Sequence, residues 1–332
     1  MIAIALTFAL LASACAGGGT ENGAPQNENA TNKEPILVSI PTGNASGLAY
    51  SLTSGVANVI NSHVQGVSAN AEVSAGSVEN LKRLESGEVK LAYADSSVAH
   101  SYLNGEQPFD EASANVRFFA FISPAPSQVI SPMDKPLQSL KDLAGKRVGI
   151  GGPGAPQLTL NEKLLTELGI WNEVDGQLLT IPDTSNALQT GQIDAIIQPS
   201  IGLPQVAWTE TFTKIPISLY SWNDEEIQMT IELFPYMTEY TIPAGESYPG
   251  VEYEVKTVAG WNGYWIRADF PEEEAYEMAK AYFEHPDELT SAHRVLSTAT
   301  LENTLSVLKQ KEAIPALHPG VEKYLREKGH LK

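Results

Sequence analysis

Residues 36–60 read ILVSIPTGNASGLAYSLTSGVANVI, which is an apolar strand, a glycine-containing turn and an amphipathic helix in succession. The apolar residues of the helix fall on one face, at Leu48, Leu52, Val56, Val59 and Ile60. Similar patterns follow, with a helix near residues 78–84, a strand at 89–94 and a helix after Ser96. Alternation of this kind predicts an α/β architecture with largely parallel sheets.

The middle of the chain repeats this arrangement. Leu84-x-x-Gly87-x-Val89 matches Leu188-x-x-Gly191-x-Ile193, and in both a helix ends at a glycine before an apolar strand. The strand at 147–150 runs into a glycine-rich turn at 151–156, as the first strand does at its own end. Two such units favour two lobes that face each other across a cleft. Short strand–turn–helix patterns also recur by chance in α/β proteins.

Length and charge narrow the class of protein. The 332 residues are about twice the length of a single domain, so two modest domains fit well. The chain has 40 acidic and 21 basic side chains and therefore a formal net charge of -19. Such a charge repels phosphate backbones, and we expect no nucleic-acid partner.

The only cysteine, Cys15, directly follows an apolar run from Ile2 to Ala14. That run is too short to span a bilayer and has the length of a signal-peptide core. Leu11-Ala12-Ser13-Ala14-Cys15 resembles a lipobox, although no Lys or Arg precedes the run. We therefore predict that residues 1–15 are a lipoprotein signal peptide and that a lipid on Cys15 anchors an extracytoplasmic protein to a membrane. An uncleaved secretory peptide with an incidental cysteine is the alternative.

The next segment, residues 16–35, reads AGGGTENGAPQNENATNKEP and has no periodic apolar residues. A segment of this composition cannot form a core. We predict a flexible tether that separates the folded part from the membrane.

Catalytic and metal-binding motifs are absent from the sequence. The six histidines are scattered, and none forms a His-Glu-x-x-His spacing. The sequence also has no Gly-x-Ser-x-Gly nucleophile motif. We expect no catalytic residue, metal or cofactor, although a triad assembled from distant segments remains open.

Several polar loops open predicted helices. The turn 42–47 and the segment 74–80 carry hydroxyls and glycines whose neighbouring N–H groups could hold a carboxylate, and Asp95 and Ser96 follow a strand. Each could instead simply cap its helix. No Lys or Arg occurs in these loops or in 151–157 and 198–204. Trp222, Trp261 and Trp265 could line a cleft or belong to the core.

A series of short segments forms a recognisable order along the chain: Thr42-Gly43 through Tyr50, Gly76-Ser77-Val78-Glu79-Asn80-Leu81, Glu106-x-Pro108-Phe109, Leu140-x-Asp142-Leu143-x-Gly145-Lys146-Arg147-Val148, Gly191-x-Ile193-Asp194-Ala195, Ile242-Pro243-Ala244-Gly245-x-x-Tyr248-Pro249-Gly250 and Leu317-His318-Pro319-Gly320-x-x-x-Tyr324. Together they resemble the TAXI family of solute-binding subunits of tripartite ATP-independent periplasmic (TRAP) transporters. The resemblance covers about residues 36–328, and its last two segments are the most specific.

The resemblance implies a periplasmic binding protein-like type II fold, in which a hinge joins two lobes as in a Venus flytrap. The first lobe would comprise residues 36–124, the second 125–220, and residues 221–332 would return to the first lobe and add C-terminal helices. The chain would cross to the second lobe near Ser123 to Ser127 and return near Ser218 to Asn223.

The function implied is that of a monomeric receptor. It would capture glutamate, glutamine or a dicarboxylate such as 2-oxoglutarate by lobe closure and deliver it to an ion-gradient-driven TRAP permease. A sensory receptor of the same fold that feeds a membrane kinase or chemoreceptor is the alternative.

Two departures from the family pattern affect the expected pocket. Family members commonly have Gly-Ser-Gly-Thr where this chain has Gly154-Ala155-Pro156-Gln157, and usually Gln where this chain has Asp95. We therefore hypothesise that Asp95 holds the α-ammonium group of an amino acid. Carried over by position, the ligand-binding residues would be Thr42, Gly43, Tyr50, Ser77, Asn80, Asp95, Ser96, Gly154, Ala155, Gln157, Gln198 and Pro199.

Overall fold

The structure, a computed structural model, describes residues 34–153, 155–200, 202–245, 247–309, 314 and 316–331. The predicted signal peptide with Cys15, most of the predicted tether, and Gly154 of the expected pocket lie outside the described residues. None of the helices within the described ranges combines the length and apolarity that a membrane span requires.

Strands and helices alternate through most of the chain, as predicted. The strands are β1 (Ile36–Gly43), β2 (Val67–Val73), β3 (Leu91–Asp95), β4 (Val116–Pro132), β5 (Arg147–Gly151), β6 (Asp175–Leu178), β7 (Ala195–Pro199), β8 (Ile217–Leu219), β9 (Thr238–Ile242) and β10 (Val255–Arg267). The helices are α1 (Leu48–His63), α2 (Ser77–Glu85), α3 (Ser96–Asn104), α4 (Pro156–Glu167), α5 (Ile181–Gln189), α6 (Val206–Lys214), α7 (Asp224–Leu233), α8 (Glu272–Glu284), α9 (Pro286–Ala292), α10 (Leu301–Val307) and α11 (Pro319–Glu327). Short 3₁₀ helices cover Leu140–Leu143, Trp171–Glu173 and Arg294–Thr298.

The prediction of largely parallel sheets holds only within the repeated units, because every strand pair that β4 or β10 makes is antiparallel. β1 pairs in parallel with β2, and β5 pairs in parallel with both β6 and β7. Gly87 and Gly191, just after α2 and α5, have φ angles of 78° and 70°. Glycine adopts this left-handed backbone without steric cost, so both helices end where the sequence predicts.

The long antiparallel strands β4 and β10 connect the two repeated units. Residues 116–126 of β4 pair with β10, whereas residues 127–130 pair with β7. Residues 262–266 of β10 pair with β3, whereas residues 255–259 pair with β9. Each long strand therefore belongs to one unit at one end and to the other unit at its other end.

We define the lobes by these partners and by the buried apolar clusters. The first lobe contains the strands β1–β3, residues 116–126 of β4, residues 259–267 of β10, and the helices α1–α3 and α8–α11. The second lobe contains the remaining strands, strand segments and helices. Residues 222–258 pack with the second lobe through side chains such as Trp222 and Ile227, which share an apolar cluster with Leu140. This packing differs from the predicted return to the first lobe at residue 221, because β10 and not residues 218–223 makes the return crossing.

Candidate ligand-binding cleft

A cavity of about 1130 Å³ lies between the two lobes. Its walls include the ends of β3 and β7 and the first residues of α1, α3 and α4. Carboxyl ends of parallel strands and N-termini of helices meet at the same edge of an α/β unit, which explains why both lobes present polar backbone ends here. The cavity is large enough to enclose a small organic solute.

Contacts already cross this cleft from lobe to lobe. His100 of α3 in the first lobe packs against Tyr236 of the second, with ring centroids 5.4 Å apart. Arg294 of the first lobe donates a hydrogen bond of 2.5 Å to the carbonyl oxygen of Leu203 in the second. The structure therefore has the lobes in contact around the cavity.

Asp95 and Ser96 lie at the junction of β3 and α3 and line the cleft. Oδ1 of Asp95 accepts hydrogen bonds of 3.1 Å from the backbone N–H groups of Ser97 and Val98 and one of 2.5 Å from Oγ of Ser97. Its other oxygen, Oδ2, has no hydrogen-bond partner among the described residues. Asp95 is thus the N-cap of α3 and still presents one carboxylate oxygen for a ligand.

The residues Gly260-Trp261-Asn262 of β10 form another part of the wall. Asn262 is fully buried; its Nδ2 points to the carbonyl oxygen of Ser123 at 3.4 Å, and its Oδ1 has no partner in the described part of the chain. The N–H of Trp261 donates to Oγ of Ser96 at 3.1 Å. A buried amide oxygen without a partner is costly, so Asn262 is a candidate to accept a hydrogen bond from a bound solute.

Sequence reasoning missed Asn262 as a site residue. The signal was an asparagine flanked by Gly260-Trp261 and Gly263 within the otherwise apolar stretch 258–266 of β10. All three tryptophans considered, Trp222, Trp261 and Trp265, are buried in apolar clusters, and Trp261 also lines the cleft.

Cationic side chains also line the cleft, although the loops that we expected to form it contain no Lys or Arg. Arg294 comes from the 3₁₀ helix before α10, and Lys163 comes from the second turn of α4. Neither forms an ion pair with another residue that the structure describes. The cleft therefore contains both signs of charge, since Glu106 accompanies Asp95 on its wall.

The phenol of Tyr236 lies near the acidic side chains of this cavity. Burial raises the pKa of the Tyr236 phenol, and the negative charges of Asp95 and Glu106 raise that pKa further. The side chain is therefore a neutral hydrogen-bonding phenol at physiological pH.

Some residues expected in the pocket hold the first lobe together instead. Asn80 is fully buried, and its Nδ2 donates to the carbonyl oxygens of Thr42 (2.9 Å) and Tyr93 (2.8 Å). Oδ1 of Asn80 accepts from Oγ of Ser74 at 2.6 Å, and Oγ of Ser77 accepts from the N–H of Asp95 at 3.2 Å. These side chains join β1, β3 and α2 directly behind the cleft wall.

The remaining expected residues divide between the cleft and its surroundings. Gln157 and Pro199 line the cavity together with Asp95 and Ser96. Gln198 is buried and points its Nε2 toward the carbonyl oxygen of Leu179 at 3.4 Å. The structure does not place four other expected residues on the cavity wall: Thr42, Gly43, Tyr50 and Ala155.

The fold and the interlobe cleft define a two-lobed protein of the periplasmic binding protein-like type II class. A model of the NMT1-like family matches residues 40–329, and the chain belongs to that family. Its fold is similar to that of a TctC solute binding protein from Polaromonas, with a TM-score of 0.52, 13% identity, and coverage of 90% of this chain and 96% of that chain.

Two further solved structures are similar over most of their length. MatC from Rhodopseudomonas palustris with bound malate matches with a TM-score of 0.48 and 12% identity over 87% of this chain and 98% of that chain. The periplasmic aliphatic sulphonate binding protein SsuA from Escherichia coli matches with a TM-score of 0.44 and 13% identity over 88% of this chain and 84% of that chain.

Proposed function

We propose that the chain is an extracytoplasmic receptor that binds a small polar solute between its lobes and releases it unchanged. The observation that carries this proposal is the cavity of about 1130 Å³, which residues of both lobes line. A solute that touches both lobes stabilises the closed state by its differential affinity for that state. The solute-binding protein from Polaromonas, which has the same fold, supports this function.

The charges of the cleft favour a zwitterion, and we assign the solute to the α-amino acids. Asp95 offers a carboxylate oxygen for an ammonium group, and Arg294 and Lys163 offer cations for a carboxylate on other parts of the wall. The backbone N–H group of Gln157 in the first turn of α4 is a further possible donor for a carboxylate, whereas Pro156 has no N–H group. A dicarboxylate such as 2-oxoglutarate would find the same cations but would place no positive charge beside Asp95.

Titration calorimetry of the purified protein with glutamine, glutamate and 2-oxoglutarate tests this assignment. We expect the amino acids to bind more tightly than the keto acid. We expect Asp95→Asn to weaken amino-acid binding by about 10- to 100-fold, because hydrogen bonds to charged groups contribute roughly 1.5–3 kcal/mol.

Asp134→Asn is the matched control, since Asp134 is exposed and does not line the cleft. It should bind like the wild type. Binding of the keto acid alone, or equal amino-acid affinities for Asp95→Asn and the wild type, would exclude an ammonium site at Asp95. A bound solute whose mass changes during incubation would exclude a simple receptor.

We further propose that the receptor is a lipid-anchored monomer and delivers its solute to an ion-gradient-driven TRAP permease. The TAXI-like segments and the lipobox-like sequence before Cys15 support this role. Uptake of the labelled solute by cells should require both proteins and should stop when an ionophore dissipates the gradient. Uptake that persists without the gradient, or a response through a membrane kinase instead of uptake, would contradict it.

A further inference from the structure

Two histidines and a glutamate meet on the first lobe, apart from the residues that line the cleft. His63 is the last residue of α1, His285 lies between α8 and α9, and Glu288 lies in the first turn of α9. Nε2 of His63 is 2.8 Å and Nδ1 of His285 is 3.2 Å from Oε1 of Glu288. The three candidate ligand atoms all lie within 4.8 Å of one another.

The imidazole rings of His63 and His285 stack on each other and share one carboxylate oxygen of Glu288. Their rings stack with centroids 3.5 Å apart and planes 12° apart, and one nitrogen of each approaches the same carboxylate oxygen. Because an imidazole nitrogen binds a metal in the plane of its ring, the two stacked rings would have to turn about their side-chain bonds to bind one ion.

We propose that His63, His285 and Glu288 bind a divalent transition-metal ion, with Zn²⁺ as the best fit. Two imidazole nitrogens and one carboxylate oxygen are a donor set that suits Zn²⁺ and disfavours Ca²⁺ or Mg²⁺, which prefer oxygen ligands. At Zn–ligand distances of about 2.0–2.1 Å and tetrahedral angles, neighbouring ligand atoms lie roughly 3.3 Å apart. The distance of 3.2 Å agrees with this value, whereas the distance of 2.8 Å is that of a hydrogen bond and would lengthen when the ion binds.

The exposure of the three side chains leaves room for a solvent ligand. The side chains of His63 and His285 are 30% and 32% exposed, and that of Glu288 is 49% exposed. With three protein ligands, a water molecule completes the tetrahedron. The carboxylate offsets part of the positive charge of the metal.

The metal would fasten the end of α1 to the α8–α9 junction. The opposite ends of the same elements contribute to the cleft wall, through Leu48 of α1 and through residues 293–295 directly after α9. The two helices also pack closely between these ends, since a Cβ on Gly55 would lie 2.8 Å from Cβ of Ala292. Zn²⁺ would therefore stabilise one wall of the solute cleft without contacting the solute.

Calorimetric titration of tag-free, chelator-treated protein with Zn²⁺ tests the site. We expect one tightly bound Zn²⁺ per chain and a higher melting temperature in the presence of the metal. His63→Ala, His285→Ala and the near-isosteric Glu288→Gln should each weaken Zn²⁺ binding at least tenfold. Co²⁺ should give the visible absorption of a tetrahedral complex in the wild type only.

His330→Ala is the matched control, because His330 is an exposed histidine outside this cluster. It should bind Zn²⁺ like the wild type. Circular dichroism in the absence of metal should show the same fold for all variants, and Glu288→Gln remains informative if a histidine variant does not fold. No Zn²⁺ binding by the wild type, or equal binding by wild type and Glu288→Gln, would overturn the proposal.

Discussion

At the residue scale, Asn80 and Asn161 perform the same structural task in the two lobes. Nδ2 of Asn80 donates to the carbonyl oxygens of Thr42 in β1 and Tyr93 in β3. Nδ2 of Asn161 in α4 donates to the carbonyl oxygens of Ile150 (2.9 Å) and Ile197 (2.8 Å), in β5 and β7. Each amide thus joins two strands from the helix that covers them, just behind the cleft.

We expect Asn80→Ala and Asn161→Ala each to lower the free energy of unfolding by about 2–4 kcal/mol, because each change removes two buried hydrogen bonds to backbone carbonyl oxygens. Urea denaturation followed by circular dichroism measures the effect. Asn70→Ala is the control, since Asn70 is exposed and should change stability by less than about 0.5 kcal/mol. An Asn80→Ala protein of wild-type stability that has lost solute binding would instead indicate a direct ligand contact.

At the element scale, the segment Leu317-His318-Pro319-Gly320 begins α11 and docks it on α8. Nδ1 of His318 accepts from the N–H of Gly320 at 3.2 Å, and Nε2 lies 3.0 Å from the carbonyl oxygen of Phe270. Burial lowers the pKa of the His318 imidazole, so the neutral form caps the helix. A Cβ on Gly320 would lie 2.2 Å from the carbonyl oxygen of Glu272. Helix capping and the close packing of α11 on α8 therefore explain the residues of the segment Leu317-His318-Pro319-Gly320.

Gly320→Ala should therefore lower the free energy of unfolding by about 1–3 kcal/mol, because α11 must move away from α8 to make room. Thermal and urea denaturation measure the loss. Gly43→Ala is the matched control, since a Cβ there would meet no atom within 4 Å. Equal stability of the two variants would show that α11 does not require its present contact with α8.

At the scale of the whole molecule, β4 and β10 are the strands that run from one lobe into the other. Both change partners along their length, β4 after Pro126 and β10 around Ala259. Because each lobe has its own apolar clusters, a rotation about these strands would leave both cores intact. The contacts that such a rotation would break are those across the cleft, including that of Arg294 with Leu203.

Small-angle X-ray scattering of the purified protein should show a smaller radius of gyration with bound solute than without it, since the solute favours the closed state. Arg294→Ala removes a hydrogen bond across the cleft and a cation from its wall. We expect this variant to bind solute about three- to tenfold more weakly. The loss of affinity is modest because Arg294 is exposed and solvent weakens its interactions. An unchanged radius of gyration at saturating solute would contradict closure.

The sequence by itself determined the α/β class, the repeated unit and the ends of several helices. These features depend on apolar periodicity and on glycines such as Gly87 and Gly191, which are local properties of the chain. It also indicated Asp95 and Ser96 as cleft residues, because carboxyl ends of parallel strands share one edge.

Only the tertiary structure decided which distant residues meet. Asn262 and Arg294 join the cleft because β10 crosses between the lobes and the segment after α9 packs beside α1. His63 and Glu288 are 225 positions apart, so no spacing motif could reveal their cluster. Asn80 does not line the cleft, and its amide donates to two backbone carbonyl oxygens of β1 and β3. Such contacts depend on helix docking and strand pairing between remote segments, which local sequence patterns do not encode.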